Sequence, residues 1–356
     1  MESDKIFSPF KIKNFTLKNR TGVAPMTRMS ASTDGIPRQD VFEFLVRRAK
    51  NGAAIIYTEA ILTDYESAQG YPGQARIVTQ KQIDAWKPVV RKIQQEGAIA
   101  ILQMFHCGRM SWPEVNPAGR TVAPSGIAPT QDNPLTQSPY PVPEMMSRFD
   151  ISHVISGFVE TARGAIEAGF DGVEIHGAHG YLISQFLSWY SNGRDDEYGG
   201  STENRFRFFH EVIQAVSKVI PKNRLLMVRV SNWGIADMDV SLFESKEDYQ
   251  KTISLLSLEP VDAISVSTYE YNQPAFGTDR NMARLTREMT DLPLLICGGI
   301  HDRASAENAL DDADIILVGK SLLLNPDWID DVRADRDLKR YTSEEAAVAY
   351  TPEPLP

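Results

Sequence analysis

The chain has 356 residues, 42% of them hydrophobic, which is enough to bury a large core in one or two domains. Its 37 basic against 47 acidic residues give a formal net charge of -10, which argues against a nucleic-acid partner because phosphate binding needs clustered Lys and Arg. Two cysteines far apart in sequence exclude a disulfide framework and an iron–sulfur cluster.

The N-terminus and the hydropathy of the chain predict its compartment. Residues 1–5 lack the basic patch and the apolar run of a signal peptide. No apolar stretch approaches the roughly 20 residues that span a membrane. We therefore expect a cytoplasmic protein without a membrane partner.

Eight short β-branched runs recur along the chain, and each is followed by a longer stretch with helical spacing. The predicted strands are Thr21–Pro25, Ala53–Thr58, Ala98–Gln103, Gly172–His176, Leu225–Val230, Ala263–Ser267, Leu294–Cys297 and Ile315–Val318. They are continuous apolar segments, as expected of parallel strands that are buried on both faces. Eight strand-then-helix units predict a closed (β/α)8 TIM barrel that forms a single domain over residues 1–356.

Two of the intervening segments show the clearest helical faces. Apolar side chains repeat with helical spacing over residues 154–166, and Gly169 is placed to end that helix. The same pattern recurs over residues 206–216, with Pro221 beyond the end. No G-x-G-x-x-G follows the first strand, which counts against a dinucleotide-binding Rossmann unit.

One segment interrupts the alternation. Residues 112–149 contain eight prolines and no apolar period. Because the segment leaves the third strand at the end where barrel active sites lie, we expect it to cap the site, a decorative surface insertion being the alternative. Residues 339–356 are predicted to be an exposed tail or an arm on a neighbouring subunit of a homo-oligomer.

Glycines follow the last two predicted strands. Gly298-Gly299 ends the seventh strand and Gly319-Lys320 ends the eighth, where barrels commonly bind phosphate. A single glycine pair would be explained by a tight turn. Two pairs at these strands, with a lysine beside them, favour a phosphate site.

The other strand ends carry polar side chains that would meet at the same mouth. They are Thr27, Gln103, Arg229, His176, His179 and Tyr181. Such edge donors and acceptors suit a flat polar heterocycle. Because His176 and His179 are three residues apart, they could instead share a metal ion, but no third ligand is identified beside them, so no metal is expected. They could also be hydrogen-bonded loop residues without a catalytic role.

These residues resemble the old yellow enzyme family of FMN-dependent ene reductases and NADH:flavin oxidoreductases. The resemblance runs from about Ile6 to Trp328. The segments that carry it are Asn19–Arg20, Ala24–Arg28, Gln103, His106–Arg109, His176–Leu182, Gln185–Ser188, Asp196–Ser201, Glu203–Arg205, Gly319–Lys320 and Asn325–Asp327. Their order along the chain and their places at strand ends make the series specific.

The resemblance implies that FMN binds at the barrel mouth. The cofactor-binding residues would be Pro25, Met26, Thr27, Ala60, Gln103, Arg229, Gly298, Gly299, Gly319 and Lys320. Within this set Arg229 would face N1 and O2 of the ring, and the Thr27 hydroxyl would lie near O4. Lys320 stands where the family usually has arginine, so it supplies a point charge in place of a planar fork.

The resemblance also assigns the substrate side. His176 and His179 would bind the carbonyl or nitro oxygen, Tyr181 would deliver a proton, and Phe105 would shape the pocket. The implied enzyme takes hydride from NADH or NADPH and reduces the activated C=C bond of α,β-unsaturated carbonyl or nitro compounds.

Other functions are compatible with parts of this pattern. An NADH oxidase or a dienoyl-CoA-type reductase would use the same flavin, although the cysteine series of the longer relatives is missing. A metal-dependent barrel hydrolase would use His176 and His179, and a non-catalytic flavin-binding protein would use neither. Trp189-Tyr190 stand where the family usually has proline, which leaves the nearby pocket shape open.

Overall fold

The computed structural model describes residues 4–64, 66–340 and 342. Its centre is a closed barrel of eight parallel strands. In chain order they are β1 (Thr21–Val23), β2 (Ile55–Leu62), β3 (Ile99–Phe105), β4 (Gly172–His179), β5 (Leu225–Gly234), β6 (Ala263–Ser267), β7 (Leu294–Cys297) and β8 (Ile315–Val318). Each strand pairs with the next and β8 pairs with β1, which confirms the predicted (β/α)8 barrel.

Four strands continue further than the sequence pattern indicated. The predicted ends of β2, β3, β4 and β5 were too early, because polar residues at their carboxyl ends break the apolar run while the backbone pairing continues. Register shifts accompany the extensions, between Tyr57 and Ala60 in β2 and between Gly177 and His179 in β4. The added residues extend the strands into the barrel mouth.

Helices surround the barrel on its outer face. They are α1 (Gln39–Lys50), α2 (Gln80–Gln95), α3 (Arg148–Ala168), α4 (Thr202–Ser217), α5 (Lys246–Leu256), α6 (Met282–Arg287), α7 (Arg303–Ala309) and α8 (Trp328–Arg333). The predicted end of α3 is confirmed, since Gly169 caps it with φ 94° in the left-handed region that glycine favours. Its start is set by a capping box between Ser147 and Asp150.

Alternation along the strands divides the apolar side chains into two layers. Residues such as Val173 and Val228 point outward and pack against the helices. Residues such as Ile101, Leu225 and Leu317 fill the lower barrel interior. An N-terminal hairpin, whose Leu17 packs into this inner cluster, closes the lower end. Polar groups are therefore concentrated at the upper end.

A long segment joins β3 to α3 above the barrel mouth. It contains two short strand pairs, at Val122–Ala123 with Glu144–Met145 and at Asp132–Asn133 with Ser138–Pro139. Within the described residues, no helix combines the length and the apolar character needed to cross a bilayer. The predicted tail at 339–356 lies outside the described residues, except for its first two positions and Thr342.

Candidate active site

A buried polar layer crosses the upper barrel interior on adjacent strands. Gln103 of β3 donates through Nε2 to Glu174 of β4 at 2.7 Å, and Arg229 of β5 donates through Nε to the same carboxylate at 2.8 Å. Arg229 and Glu174 are 1% and 0% exposed, so their ion pair is fully removed from water. Glu174 therefore fixes the positions of two predicted cofactor-binding residues.

Arg229 keeps its charge in this layer. Burial alone would lower the pKa of the guanidinium, but the carboxylate of Glu174 raises it above its usual value. A second contact runs from Nη1 to the sulfur of Cys297 at 3.2 Å. A guanidinium has five N–H donors, so two remain after the three contacts with Glu174 and Cys297.

Beside this layer, the extended end of β4 and the residues just after it bring three predicted catalytic side chains together. The ring centres of His176 and His179 are 5.0 Å apart, and that of Tyr181 lies 5.2 Å from His176 and 6.4 Å from His179. His176 is paired in register with Arg229 on β5. The three side chains thus share the barrel mouth with the Gln103–Arg229 layer.

Both imidazoles are neutral at physiological pH. Burial, with the neighbouring His179 and Arg229, lowers the pKa of His176 well below its usual range. Burial, with the charge of Arg229, lowers the pKa of His179 to about 3. Nδ1 of His176 accepts from the backbone N–H of Ala178 at 3.2 Å, which leaves Nε2 as its N–H donor.

Tyr181 is held by aromatic and hydrogen-bonding neighbours. Its ring packs edge-on against Phe105 at 4.5 Å, and its hydroxyl contacts that of Tyr71 at 2.8 Å. Burial and the hydrogen bond with Tyr71 raise the pKa of Tyr181 well above its usual value, so the phenol keeps its proton. Tyr140 of the long segment and Ala60 belong to the same buried cluster.

Aromatic side chains continue around the rim from His179 to Lys320. The Trp233 ring lies 4.7 Å from His179, Tyr269 lies 6.3 Å from Trp233, and the Lys320 ammonium lies 5.6 Å from the Tyr269 ring centre. Two of these residues, Trp233 and Tyr269, were not identified from the sequence. They connect the histidine pair with the predicted phosphate end.

The first strand delivers its end to the same rim. Pro25, Met26 and Thr27 are partly buried there. A Cβ built on Gly319 would lie 3.6 Å from the sulfur of Met26, which places the ends of β1 and β8 side by side. The backbone N–H of Arg28 donates to Glu59 at 3.0 Å and so joins the ends of β1 and β2.

The seventh strand ends in a turn that only glycine fits. Gly298 and Gly299 have φ 125° and 67°, and a side chain on either would overlap Thr268 or Glu270. The carboxylate of Glu270 stands directly over Gly299. This acidic neighbour of the predicted phosphate site was also missed by the sequence reasoning.

The structure shows where Trp189 and Tyr190 lie, which the sequence left open. Trp189 is 46% exposed and donates through Nε1 to the backbone oxygen of Ser241 at 3.2 Å. Tyr190 faces the guanidinium of Arg109 at 5.7 Å. The pair therefore fills the space between the loop after β4 and the segments that follow β3 and β5.

The residue most clearly missed is Glu174. The sequence pattern was not used to assign this carboxylate any role. A signal was available, because Glu174 precedes His176 by two residues in a buried strand and so shares its inward face. Among the described residues, no group of three or more His, Cys, Asp or Glu side chains is arranged to hold a metal ion.

Comparison with known proteins identifies the family. The model of the NADH:flavin oxidoreductase / NADH oxidase family matches residues 5–339. The chain belongs to this family. The old yellow enzymes are among its members, so the resemblance inferred from the strand-end residues is confirmed.

Individual relatives cover nearly the whole chain. The chain is 32% identical to the putative 12-oxophytodienoate reductase 4 of Oryza sativa subsp. japonica over 98% of this chain and 93% of that protein. It is 30% identical to 12-oxophytodienoate reductase 2 of Arabidopsis thaliana, over 99% and 94%. A solved structure of the old yellow enzyme homologue from Zymomonas mobilis superposes with TM-score 0.86 at 30% identity, covering 98% of this chain and 97% of that one.

Membership decides the reaction class. As a member of this family, the chain is an FMN-dependent oxidoreductase of the ene reductase type, which uses NAD(P)H to reduce activated C=C bonds of small molecules. The metal-dependent hydrolase is thereby excluded. The cytoplasmic location and the homo-oligomer stay predictions.

Proposed function

We propose that this enzyme reduces α,β-unsaturated ketones, aldehydes and nitro compounds at the barrel mouth, with His176 and His179 binding the substrate oxygen and Tyr181 donating the proton. The observation that carries the proposal is the convergence of these three side chains beside the Gln103–Arg229 layer, where His176 is the register partner of Arg229. A flat ring bound against that layer would place the substrate between the ring and the two imidazoles.

The donor set of the buried layer suits the pyrimidine edge of FMN. Gln103 supplies an amide and Arg229 two remaining N–H groups, and the small side chain of Ala60 is the register neighbour of Gln103. When bound, FMN supplies the two-electron chemistry that accepts hydride from NAD(P)H and passes it on. The charge of Arg229 would stabilise negative charge on a bound flavin ring, and Glu174 would offset part of that field.

The opposite end of the mouth would hold the phosphate. Gly298, Gly299, Gly319 and Lys320 are assigned there, with Pro25, Met26 and Thr27 lining the flavin between the two ends. Gly319 has open space, since a Cβ built on it meets nothing closer than 3.6 Å. Because like charges repel, phosphate binding requires the Glu270 carboxylate to turn away from Gly299.

The two imidazoles stabilise the charge that develops on the substrate oxygen. When hydride reaches the β-carbon, electron density moves to the carbonyl or nitro oxygen, where two N–H donors act as an oxyanion hole. Their low pKa values keep both rings neutral, so each has one nitrogen to donate from and one held by the protein. Phe105 and Tyr140 would limit the bulk of the substrate.

Tyr181 completes the reduction by protonating the α-carbon. Its raised pKa guarantees that the proton is present at neutral pH. The Tyr71 hydroxyl at 2.8 Å would replace that proton from solvent, because the Tyr71 side chain is only partly buried. The long segment at 112–149 would cap the site during the reaction, as its Tyr140 already packs into the Tyr181 cluster.

The cofactor and the reaction can be tested together. We expect a yellow protein that releases FMN on denaturation, is bleached anaerobically by NADH or NADPH, and regains colour when cyclohexenone is added. Reduced protein that oxygen re-oxidises while cyclohexenone does not would contradict the proposed reaction. A panel of enones and nitroalkenes with both reductants would then define specificity.

Replacing His176 and His179 by Ala separates substrate binding from flavin binding. The doubly substituted protein should keep FMN and its reduction by NAD(P)H, while its re-oxidation by cyclohexenone slows by at least about 10²-fold, the cost of removing one oxyanion donor. Loss of FMN from this variant would show that the histidines hold the cofactor and not the substrate.

A further inference from the structure

A hydrogen-bonded series of side chains connects Arg229 with His179 inside the barrel. Nη1 of Arg229 lies 3.2 Å from the sulfur of Cys297, which lies 3.2 Å from Oγ of Ser267. Oγ of Ser267 in turn lies 2.7 Å from Nε2 of His179. Arg229, Cys297 and Ser267 are all buried, at 1%, 9% and 4% exposure, so these contacts do not compete with bulk water.

The donors of this series can be assigned because one end is unambiguous. A guanidinium only donates, so the Cys297 sulfur accepts from Arg229 and its own hydrogen is directed to Ser267. The Ser267 oxygen then accepts from the thiol and its hydroxyl donates to Nε2 of His179. This direction would place the proton of His179 on Nδ1.

The opposite direction is less favourable. If His179 donated from Nε2 to Ser267, the serine hydroxyl would donate to the Cys297 sulfur. The thiol hydrogen would then be buried without an acceptor among the contacts that the structure describes for Cys297. His179 would also present a bare nitrogen to an anionic oxygen, which is repulsive.

His176 differs from His179 in how its tautomer is set. The partner of His176 is a backbone N–H, which can only donate. The partner of His179 is a hydroxyl, which both donates and accepts. The tautomer of His179 therefore depends on what else the hydroxyl of Ser267 contacts.

We propose that Cys297 and Ser267 are positioning residues that hold His179 as its Nδ1–H tautomer, so that Nδ1 donates to the substrate oxygen. This proposal rests on the proposed function of His179. Arg229 anchors the series, and the same side chain is assigned to the flavin edge. The residues that face the cofactor and the residue that binds the substrate are thus joined by consecutive hydrogen bonds.

The orientation of the His179 ring has independent support. Its backbone N–H donates to Ser231 at 2.8 Å, and its ring packs on Trp233 at a centroid distance of 4.7 Å. The indole N–H of Trp233 is fixed on the backbone oxygen of Ser267 at 3.2 Å. Removing the Ser267 hydroxyl should therefore change the tautomer while the ring stays in place.

The tautomer can be observed directly in the FMN-loaded protein. The chain has six histidines, so ¹⁵N-histidine labelling with long-range ¹H–¹⁵N correlation gives few signals, and His179→Asn assigns the relevant one. At pH 7 we expect the wild-type His179 signal to show a protonated Nδ1 and an unprotonated Nε2. A wild-type signal with the proton on Nε2 would overturn the proposal.

Matched variants separate the hydrogen-bond series from packing. Ser267→Ala and Cys297→Ala should shift the His179 signal towards the Nε2–H tautomer, and Cys297→Ser should restore Nδ1–H because a hydroxyl can also accept and donate. Ser265→Ala is the control, since that hydroxyl lies on the same strand, buried and with no hydrogen-bond partner in the described part of the chain. An unchanged signal in Ser267→Ala would overturn the proposal.

The kinetic consequence is smaller than removal of the histidine. Re-oxidation by cyclohexenone should slow by about tenfold in Ser267→Ala, less than the roughly 10²–10³-fold cost of losing one oxyanion donor, with FMN still bound. Cys297→Ser should recover most of the rate. Failure of the wild-type protein to reduce enones would refute the proposed function. The NMR measurement of the His179 tautomer would still test the hydrogen-bond series, because it does not depend on enone reduction.

Discussion

Glu59, inside β2, has a buried carboxyl group with few compensating contacts. Its Oε2 accepts from the backbone N–H of Arg28 at 3.0 Å, whereas Oε1 has no hydrogen bond within the described residues. Burial raises the pKa of Glu59 from 4.5 to about 7, despite the opposing hydrogen bond and charge of Arg28. The folded protein therefore binds this proton more tightly than the unfolded chain does.

This raised pKa predicts a pH-dependent stability. The contribution of protonated Glu59 is fully present below pH 4.5 and is lost as pH rises through about 7. In urea unfolding at pH 8, Glu59→Gln should be more stable than wild type by on the order of 3 kcal/mol, and at pH 4.5 the difference should nearly vanish. An equal difference at both pH values would contradict the assignment.

At the scale of elements, α3 approaches the barrel through two glycines. A Cβ on Gly157 would overlap the backbone oxygen of Thr63, and one on Gly164 would overlap that of Ile77. Both oxygens belong to the connection that follows β2. The backbone of this connection is held in place by hydrogen bonds: the N–H of Leu62 donates to the backbone oxygen of Ala75, and the N–H of Thr63 donates to that of Phe105. Glycine therefore allows α3 to pack closely enough to cover β2.

Gly164→Ala should destabilise the protein although alanine is the better helix former. Replacing glycine by alanine inside a helix typically stabilises the helix by about 1 kcal/mol. The new Cβ would overlap the backbone oxygen of Ile77, however, and the shift that this forces typically costs roughly 1–3 kcal/mol in a packed interior. Urea denaturation should show a lower midpoint with an unchanged slope. Ser156→Ala, at an exposed position of the same helix, is the control and should be neutral or slightly stabilising. A stabilised Gly164→Ala would show that α3 moves freely.

At the scale of the whole molecule, one buried ion pair attaches the long segment to the barrel. Arg109, just after β3, pairs with Asp237, just after β5, at 1% and 4% side-chain exposure. The guanidinium also donates to the backbone oxygens of Ile127 and Ala128 at 3.2 Å. The carboxylate accepts from the backbone N–H of Thr130 at 2.9 Å. Three separate parts of the chain thus meet at this pair.

Removing one partner should destabilise this junction strongly. Asp237→Ala leaves the Arg109 charge buried and unpaired, which typically costs about 3–5 kcal/mol. Limited proteolysis should then cut the segment 112–147 faster than in wild type, and the unfolding midpoint should fall. Glu144→Ala breaks the exposed pair with Arg120 in the same segment and should cost less than about 1 kcal/mol. Equal effects of the two substitutions would contradict the anchoring role.

The pattern of residues along the chain is enough to predict the barrel and to assign residues to its mouth. Continuous apolar runs identify buried parallel strands, and the bounds of β6, β7 and β8 agree with the pattern. Since all parallel strands of a barrel present their carboxyl ends at one face, residues such as His176, Arg229 and Lys320 could be assigned to a common rim without coordinates.

Only the tertiary structure decided how those residues are held. The contacts of Glu174 with Gln103 and Arg229, and of Ser267 with Cys297 and His179, join different strands. Side-chain alternation gives the face of each residue, but it does not give the relative register of strands or the shear with which the barrel closes. Burial then sets the pKa of each group, and burial is a property of the closed barrel and not of any one segment.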